Sequence, residues 1–124
     1  YKRQIQWEPQ SVEGPSGQMS CSGGNEAFSE LDDDSYGWDV TPVGTTANLE
    51  WTITAAHSTA EWEYFIDGDL VDSFDEGGAQ PPSNFTHDVD LSGYSGEQTI
   101  LARWNVADTE MSFYACIDVN VGAL

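Results

Sequence analysis

From Asn48 to Val121 the chain keeps placing apolar residues at every second position, and that period confines most of this stretch to strands. In Asn48–Thr54, Leu49, Trp51 and Ile53 alternate with polar neighbours, the spacing of a strand with one buried face. Trp62, Tyr64 and Ile66 repeat the pattern, as do Phe85, His87, Val89 and Leu91. The runs Gln98–Trp104 and Phe113–Val121 are rich in β-forming residues. Turn formers punctuate these runs at Asp67-Gly68-Asp69, Gly77-Gly78, Pro81-Pro82 and Gly93 to Gly96. No segment sustains a 3.6-residue period with caps at both ends. The pattern predicts an all-β chain, an immunoglobulin- or fibronectin-III-like antiparallel β-sandwich.

The first third reads differently. It carries Pro9, Gly14, Pro15, Gly17, Gly23 and Gly24 and the acidic run Asp32-Asp33-Asp34, and it alternates little. The expectation is one domain over residues 1–124, with a long irregular N-terminal loop region (1–47) ahead of a strand-rich part (48–124). A chain of 124 residues that is 39% hydrophobic can build one core.

Charge narrows the partners. Twenty-two acidic residues stand against three basic ones, Lys2, Arg3 and Arg103, for a net charge of −19. Phosphate binding needs clustered Lys and Arg, so no nucleic-acid partner is expected, and no anionic membrane either. An uncharged polysaccharide remains open. The acidity fits a protein built for high salt, where screening removes self-repulsion, or an ordinary acidic secreted protein. No apolar run approaches membrane-spanning length, and the absence of a signal peptide reads as a processed or truncated chain. The expected location is secreted and extracellular. Cys21 and Cys116 then favour one disulfide, with two free buried thiols as the alternative. In the chain-entropy model a loop of that length is worth about 4–5 kcal/mol.

Few residues carry chemistry on their own. His87 shares a strand face with Phe85, Val89 and Leu91, which favours a hydrogen-bonded interior histidine. His57 lies just beyond the alternation that ends at Thr54, where a side chain can turn to the surface. The acidic run and Asp67-Gly68-Asp69 lack a full calcium-loop pattern and read as a solvated face. Asn84-Phe85-Thr86 matches a glycosylation acceptor, though a strand follows it. No carboxylate pair can be placed at the separation that hydrolysis of a glycoside requires.

Longer motifs add a family. Trp7-Glu8-Pro9-Gln10-Ser11-Val12-Glu13-Gly14 is one. Thr54-Ala55-Ala56-His57-Ser58-Thr59, followed by Trp62 and Tyr64, is another. Thr86-His87 is a third. Trp104-Asn105-Val106-Ala107-Asp108-Thr109 leads into Ser112-Phe113-Tyr114 and Ile117-Asp118-Val119-Asn120, with weaker matches at Phe28-Ser29-Glu30-Leu31-Asp32 and Trp38. Together these resemble bacterial-type, chitin-binding-protein-like lytic polysaccharide monooxygenases over nearly the whole chain. Two features depart from that family. Its members begin with a histidine, whereas Tyr1 corresponds to a point about ten residues further in on the resemblance. A longer substrate-side insertion is replaced by Asp67 to Phe74 alone.

The resemblance implies one copper ion held by a histidine brace, the amine and imidazole of the leading histidine together with a second imidazole. His57 matches that second ligand, so the copper site is incomplete in this sequence. Phe113 matches the aromatic residue that shields an axial position, and Glu13 a carboxylate that positions oxygen species or relays protons. Trp7, Glu8, Ala55 and Asp108 match the substrate-facing surface, where an exposed Trp7 ring would lie against a sugar. Trp104 would pack beneath the site. The implied activity is copper-dependent oxidative cleavage of crystalline polysaccharide, chitin before cellulose, with an external electron donor. The alternative is a non-catalytic polysaccharide-binding module, or one that self-assembles by strand addition if its first strand is truly absent. A hydrolase stands third.

Overall fold

The structure is a computed structural model that describes residues 2–3, 12–53, 57–75 and 77–123; of Tyr36 only the backbone is described. Eight strands and two short 3-10 helices follow one another: β1 (Val12–Pro15), the helices Glu26–Asp32 and Asp34–Tyr36, β2 (Val40–Val43), β3 (Thr46–Thr52), β4 (Thr59–Ile66), β5 (Asp69–Asp75), β6 (Asn84–Asp90), β7 (Gly96–Val106) and β8 (Met111–Val121). Among the described residues six strands form one sheet, β1-β8-β7-β4-β5 in order with β2 also paired to β8, and β3 pairs with β6 in a second sheet. The two sheets pack face to face, and the expected all-β sandwich is the observed fold.

The alternating residues meet where their period predicts. Trp62, Tyr64, Ile66, Ile100, Ala102, Trp104, Val106, Val119 and Val121 of the large sheet bury against Ala47, Val89 and Leu91, with Leu49, Trp51 and Phe85 packed on them. His87 is interior, as its strand face suggests. Its Nδ1 lies 2.6 Å from the Tyr64 hydroxyl, and its ring stacks 4.0 Å from Phe74. Trp51 Nε1 donates to the same hydroxyl at 2.7 Å. An indole can only donate, so the hydroxyl accepts from Trp51, and the direction of its bond with His87 follows the histidine's tautomer. Burial pushes the Tyr64 phenol well above its ordinary pKa; the Trp51 bond opposes that shift and Asp72 adds to it.

Three strands go beyond the sequence pattern. β1 and β2 lie in the irregular region, too short and too rich in proline to show a period. The stretch Asp67 to Phe74 contains a tight turn at Asp67-Gly68, both at positive φ, and then β5, which pairs with β4 through a register shift between Tyr64 and Phe65. The shift breaks the alternation that would announce a strand.

The irregular region covers the large sheet's second face. β8 uses one edge for β7, and its other edge is tiled by β1 along Met111–Tyr114, by a bridge from Lys2 at Ile117, and by parallel β2 along Asp118–Val121. Its outward residues reach the region above. Ser112 lies 3.0 Å from Ser16 between hydroxyls, Tyr114 donates to the Pro15 carbonyl and accepts from Gln18 N at 3.1 Å, and Cys116 is joined to Cys21 by a disulfide. Asp118 holds Arg3. That guanidinium donates from Nε and Nη2 to Asp118 at 2.7 and 2.8 Å, from Nη1 to the Leu31 carbonyl at 3.0 Å, and also pairs with Asp34. Gly23, at positive φ, leaves room for the Tyr114 ring where a Cβ would collide with it.

The acids of the run Asp32-Asp33-Asp34, exposed as a solvated face would be, also bond within the fold. Asp32 accepts from Ser22 N and Oγ, Asp33 from Ser35 N and Oγ, and Asp34 pairs with Arg3. The Ser35 hydroxyl and amide hold the Asp33 carboxyl below its ordinary value. Arg103 is engaged as well, donating 2.8 Å to Glu63 and 3.0 Å to the Gln18 carbonyl. Both arginines therefore act inside the fold.

Two outcomes are expected. Desolvation pushes the Asp118 pKa up, but hydrogen bonds from Arg3 and Thr99 and the Arg3 charge bring it below the usual carboxylate range. Its stabilisation is therefore present above the unfolded value and is lost as pH falls through the folded one. Asp118→Asn should cost about 2–3 kcal/mol at neutral pH, since Asp34 still pairs with Arg3. In urea titrations the gap to wild type should close below about pH 4. With 22 acids and three basic residues, the melting temperature should rise by several degrees between about 0.1 M and 1 M salt, as the Debye length falls from about 10 to 3 Å.

Candidate functional site

His57 precedes β4 at one end of the sandwich and is half-buried. Its ring stacks on Phe113 at 5.7 Å and 27°, and meets Trp104 at 5.7 Å and 56°. Trp104 and Phe113 stack on each other at 5.0 Å, and Trp104 on Trp62 at 4.8 Å. Phe113 and Trp104 are cross-strand partners on β8 and β7 and share the inward face. The half-buried histidine thus caps a column of aromatic rings that continues into the core.

The segment carrying His57 is held from both sides. Ala107 N donates to the Ser58 carbonyl at 2.7 Å, from the turn between β7 and β8. From the other side, Thr59 N donates to the Ala79 carbonyl at 2.9 Å and Gly78 N to the Thr59 carbonyl at 2.8 Å, while Ser58 Oγ donates to the Gly78 carbonyl. A register shift between Thr59 and Glu61 marks a bulge where β4 meets β7. It turns Thr59 inward, where it is fully buried. Bulges near functional sites commonly re-aim a side chain in this way.

The other residues singled out in the sequence fall into three groups. Phe113 joins His57 directly. Glu13 is the cross-strand partner of Phe113 on β1, exposed and on the same side of the sheet. Asp108 lies on the exposed turn next to Ala107, linked to the His57 segment only through Ala107. Trp7, Glu8 and Ala55 lie outside the described residues. Cys21 and Cys116 form their disulfide on the far face of β8, away from His57. Thr59 and Ser58 were not singled out; the bulge that gives them their place leaves no mark on the sequence period.

On the opposite face of the sheet, Asn105 Nδ2 donates to Glu63 and Asn105 Oδ1 accepts from Ser112 at 2.8 Å. These groups bond to one another, with Arg103 Nη2 on Glu63, and brace the β7–β8 end under the site. Among the described residues no group of three His, Cys, Asp or Glu side chains is placed to hold a metal ion. One imidazole at the surface fits copper as a single ligand. The sequence contains one other histidine, His87, and it is buried and bonded to Tyr64.

Comparison with known proteins points to one family. A family model described as lytic polysaccharide mono-oxygenase, cellulose-degrading, matches residues 1–119. A lytic chitin monooxygenase of Streptomyces ambofaciens is 59% identical over 95% of this chain and 69% of its own length. A GlcNAc-binding protein A of Shewanella oneidensis is 40% identical over 94% of this chain, which spans only 30% of that protein. Among solved structures, a lytic polysaccharide monooxygenase of Jonesia denitrificans superposes with a TM-score of 0.86 at 54% identity, covering 93% of this chain and 80% of that one.

The ring column can be tested directly. Phe113→Ala removes a partner of both His57 and Trp104, so it should shift tryptophan emission. It should also cost about 1–3 kcal/mol in urea unfolding, below the range for a fully buried phenylalanine because Phe113 is only half-buried.

Proposed function

Because the chain belongs to the lytic polysaccharide mono-oxygenase family, we propose that it acts in copper-dependent oxidative cleavage of crystalline polysaccharide, with chitin before cellulose. The observation that carries this reading is His57, half-buried at the end of the sandwich with its ring against Phe113 and Trp104. The family model's description names cellulose, while the Streptomyces relative at 59% identity is named for chitin. The greater identity favours chitin.

In this reading His57 contributes one imidazole nitrogen to copper. The amine and imidazole of a leading histidine, which the family resemblance implies, are not among these 124 residues. Copper supplies the one-electron chemistry with dioxygen that side chains lack. The protein's own residues do the rest. Phe113 closes one side of the imidazole to water. The exposed Glu13 carboxylate, across the strand pair from Phe113, takes or returns a proton at the site. Asp108 contacts the polysaccharide, the role that the family resemblance also implies for Ala55, Trp7 and Glu8. An external reductant supplies electrons, and the protein works outside the cell. The −19 charge suits work at high ionic strength.

Copper(II) titration of the natural mature protein, with product analysis on chitin and on cellulose, tests the reading. One copper per chain and oxidised oligosaccharides, chiefly from chitin, are expected. His57→Ala should lower copper affinity at least tenfold, and Glu13→Gln should slow oxidation while copper remains bound. Absence of copper binding with His57 intact would remove the reading, and unoxidised sugars released without reductant would point to a hydrolase.

A further inference from the structure

The buried hydroxyl of Thr59 touches both the backbone of His57 and the ring that flanks it. Thr59 Oγ1 lies 2.8 Å from Trp104 Nε1 and 3.2 Å from the His57 carbonyl oxygen. The directions of these two bonds are not a matter of choice. An indole N–H can only donate, so the hydroxyl must accept from Trp104; a carbonyl can only accept, so the one hydroxyl proton goes to His57. The relay runs one way, from Trp104 through Thr59 to His57.

We propose that Thr59 is a positioning residue for His57: its hydroxyl fixes the His57 carbonyl and the Trp104 indole in one unit, and so sets where the imidazole points. Three observations support a role beyond packing. Thr59 is fully buried and Trp104 nearly so, and the Trp104 N–H has Thr59 as its partner. Losing the hydroxyl would leave that donor buried and unsatisfied, a penalty larger than the worth of an ordinary hydrogen bond. The backbone of Ser58 and Thr59 is already held by Ala107, Gly78 and Ala79, so the fold at this point does not depend on the hydroxyl. What the hydroxyl adds is control of the residue before them. Finally, Thr59 is inward only because of the bulge between Thr59 and Glu61; a regular β4 would put Ala60 there and leave no group to reach either partner.

A comparable arrangement appears in the core, where Trp51 donates to the Tyr64 hydroxyl and that hydroxyl also bonds His87 Nδ1. There the hydroxyl reaches the ring nitrogen itself. At Thr59 it reaches the backbone instead, which leaves the His57 ring nitrogens available to a ligand. The proposal rests on His57 being a copper ligand only for its consequence in affinity; its structural content stands without the metal.

The test compares wild type, Thr59→Val, which keeps shape and loses the hydroxyl, and Thr59→Ser, which keeps the hydroxyl. Two readouts are taken, the His57 ring and Trp104 indole resonances of the metal-free protein, and binding of copper(II) alone. Thr59→Val is expected to move the Trp104 indole proton and the ring-current-shifted His57 signals, and to weaken copper binding about tenfold. Thr59→Ser is expected to restore both. Trp104→Phe, which removes the donor and keeps a ring, should lessen the effect of Thr59→Val on the His57 signals, since the two act through one relay. If Thr59→Val does not fold, Trp104→Phe against wild type carries the same comparison. His57 signals unchanged by loss of either group in a folded protein would overturn the proposal. A wild type that binds no copper but shows the Thr59-dependent His57 shifts would remove the metal reading and leave the positioning role standing.

Discussion

Strand β8 has two buried faces, and the rest of the molecule is arranged around that constraint. One face looks into the sandwich. The other would expose Tyr114, Cys116 and their neighbours to water if nothing lay over it, and what lies over it is chain without regular structure. Such chain gains little from its own backbone hydrogen bonds, so it needs anchors. β8 supplies four at alternate positions: Ser112 to Ser16, Tyr114 to Pro15 and Gln18, Cys116 to Cys21, and Asp118 to Arg3. Each anchor is of a different chemical kind. Phe65 and Leu101 fill the apolar space between them.

The candidate site inherits its order from the same strand. Phe113 points inward between two anchored neighbours, Ser112 and Tyr114, so the ring under His57 stands on backbone fixed from the far side. Ser112 also donates to Asn105, which ties β8 to β7 next to Trp104. The site then needs only the bulge in β4 to bring Thr59 and His57 over this floor. A functional surface here is the end of a well-fixed ring column, finished by one irregularity.

How much of this was legible in the sequence depends on the reach of each interaction. The alternation at Leu49 and Trp51, at Trp62 and Tyr64, and at Phe85, His87 and Val89 placed the sandwich core, since that signal is local. It could not place β5, where the pairing slips between Tyr64 and Phe65, nor the four-residue strands β1 and β2. Arg3 and Asp118 lie 115 residues apart, and no local pattern couples them. His57 shows the limit most plainly. Its spacing alone describes any surface histidine, and the role proposed for it rests on the motif around it. Thr59 stood in the same motif without a role of its own, because a bulge moves a side chain across a sheet without altering the residues that precede or follow it.

The four anchors also change what kind of loop the N-terminal region is. A long glycine-rich segment on a surface is ordinarily where a protease begins, because a stretch of backbone can be drawn into the enzyme's cleft while the core stays folded. Here the segment from Pro15 to Asp34 cannot lift without breaking bonds to a strand in the middle of the large sheet, one of them covalent. Its opening is coupled to loss of the sheet itself, so cleavage would track global unfolding rather than loop motion. Under attack by a protease, the least regular part of the chain would be as durable as its core.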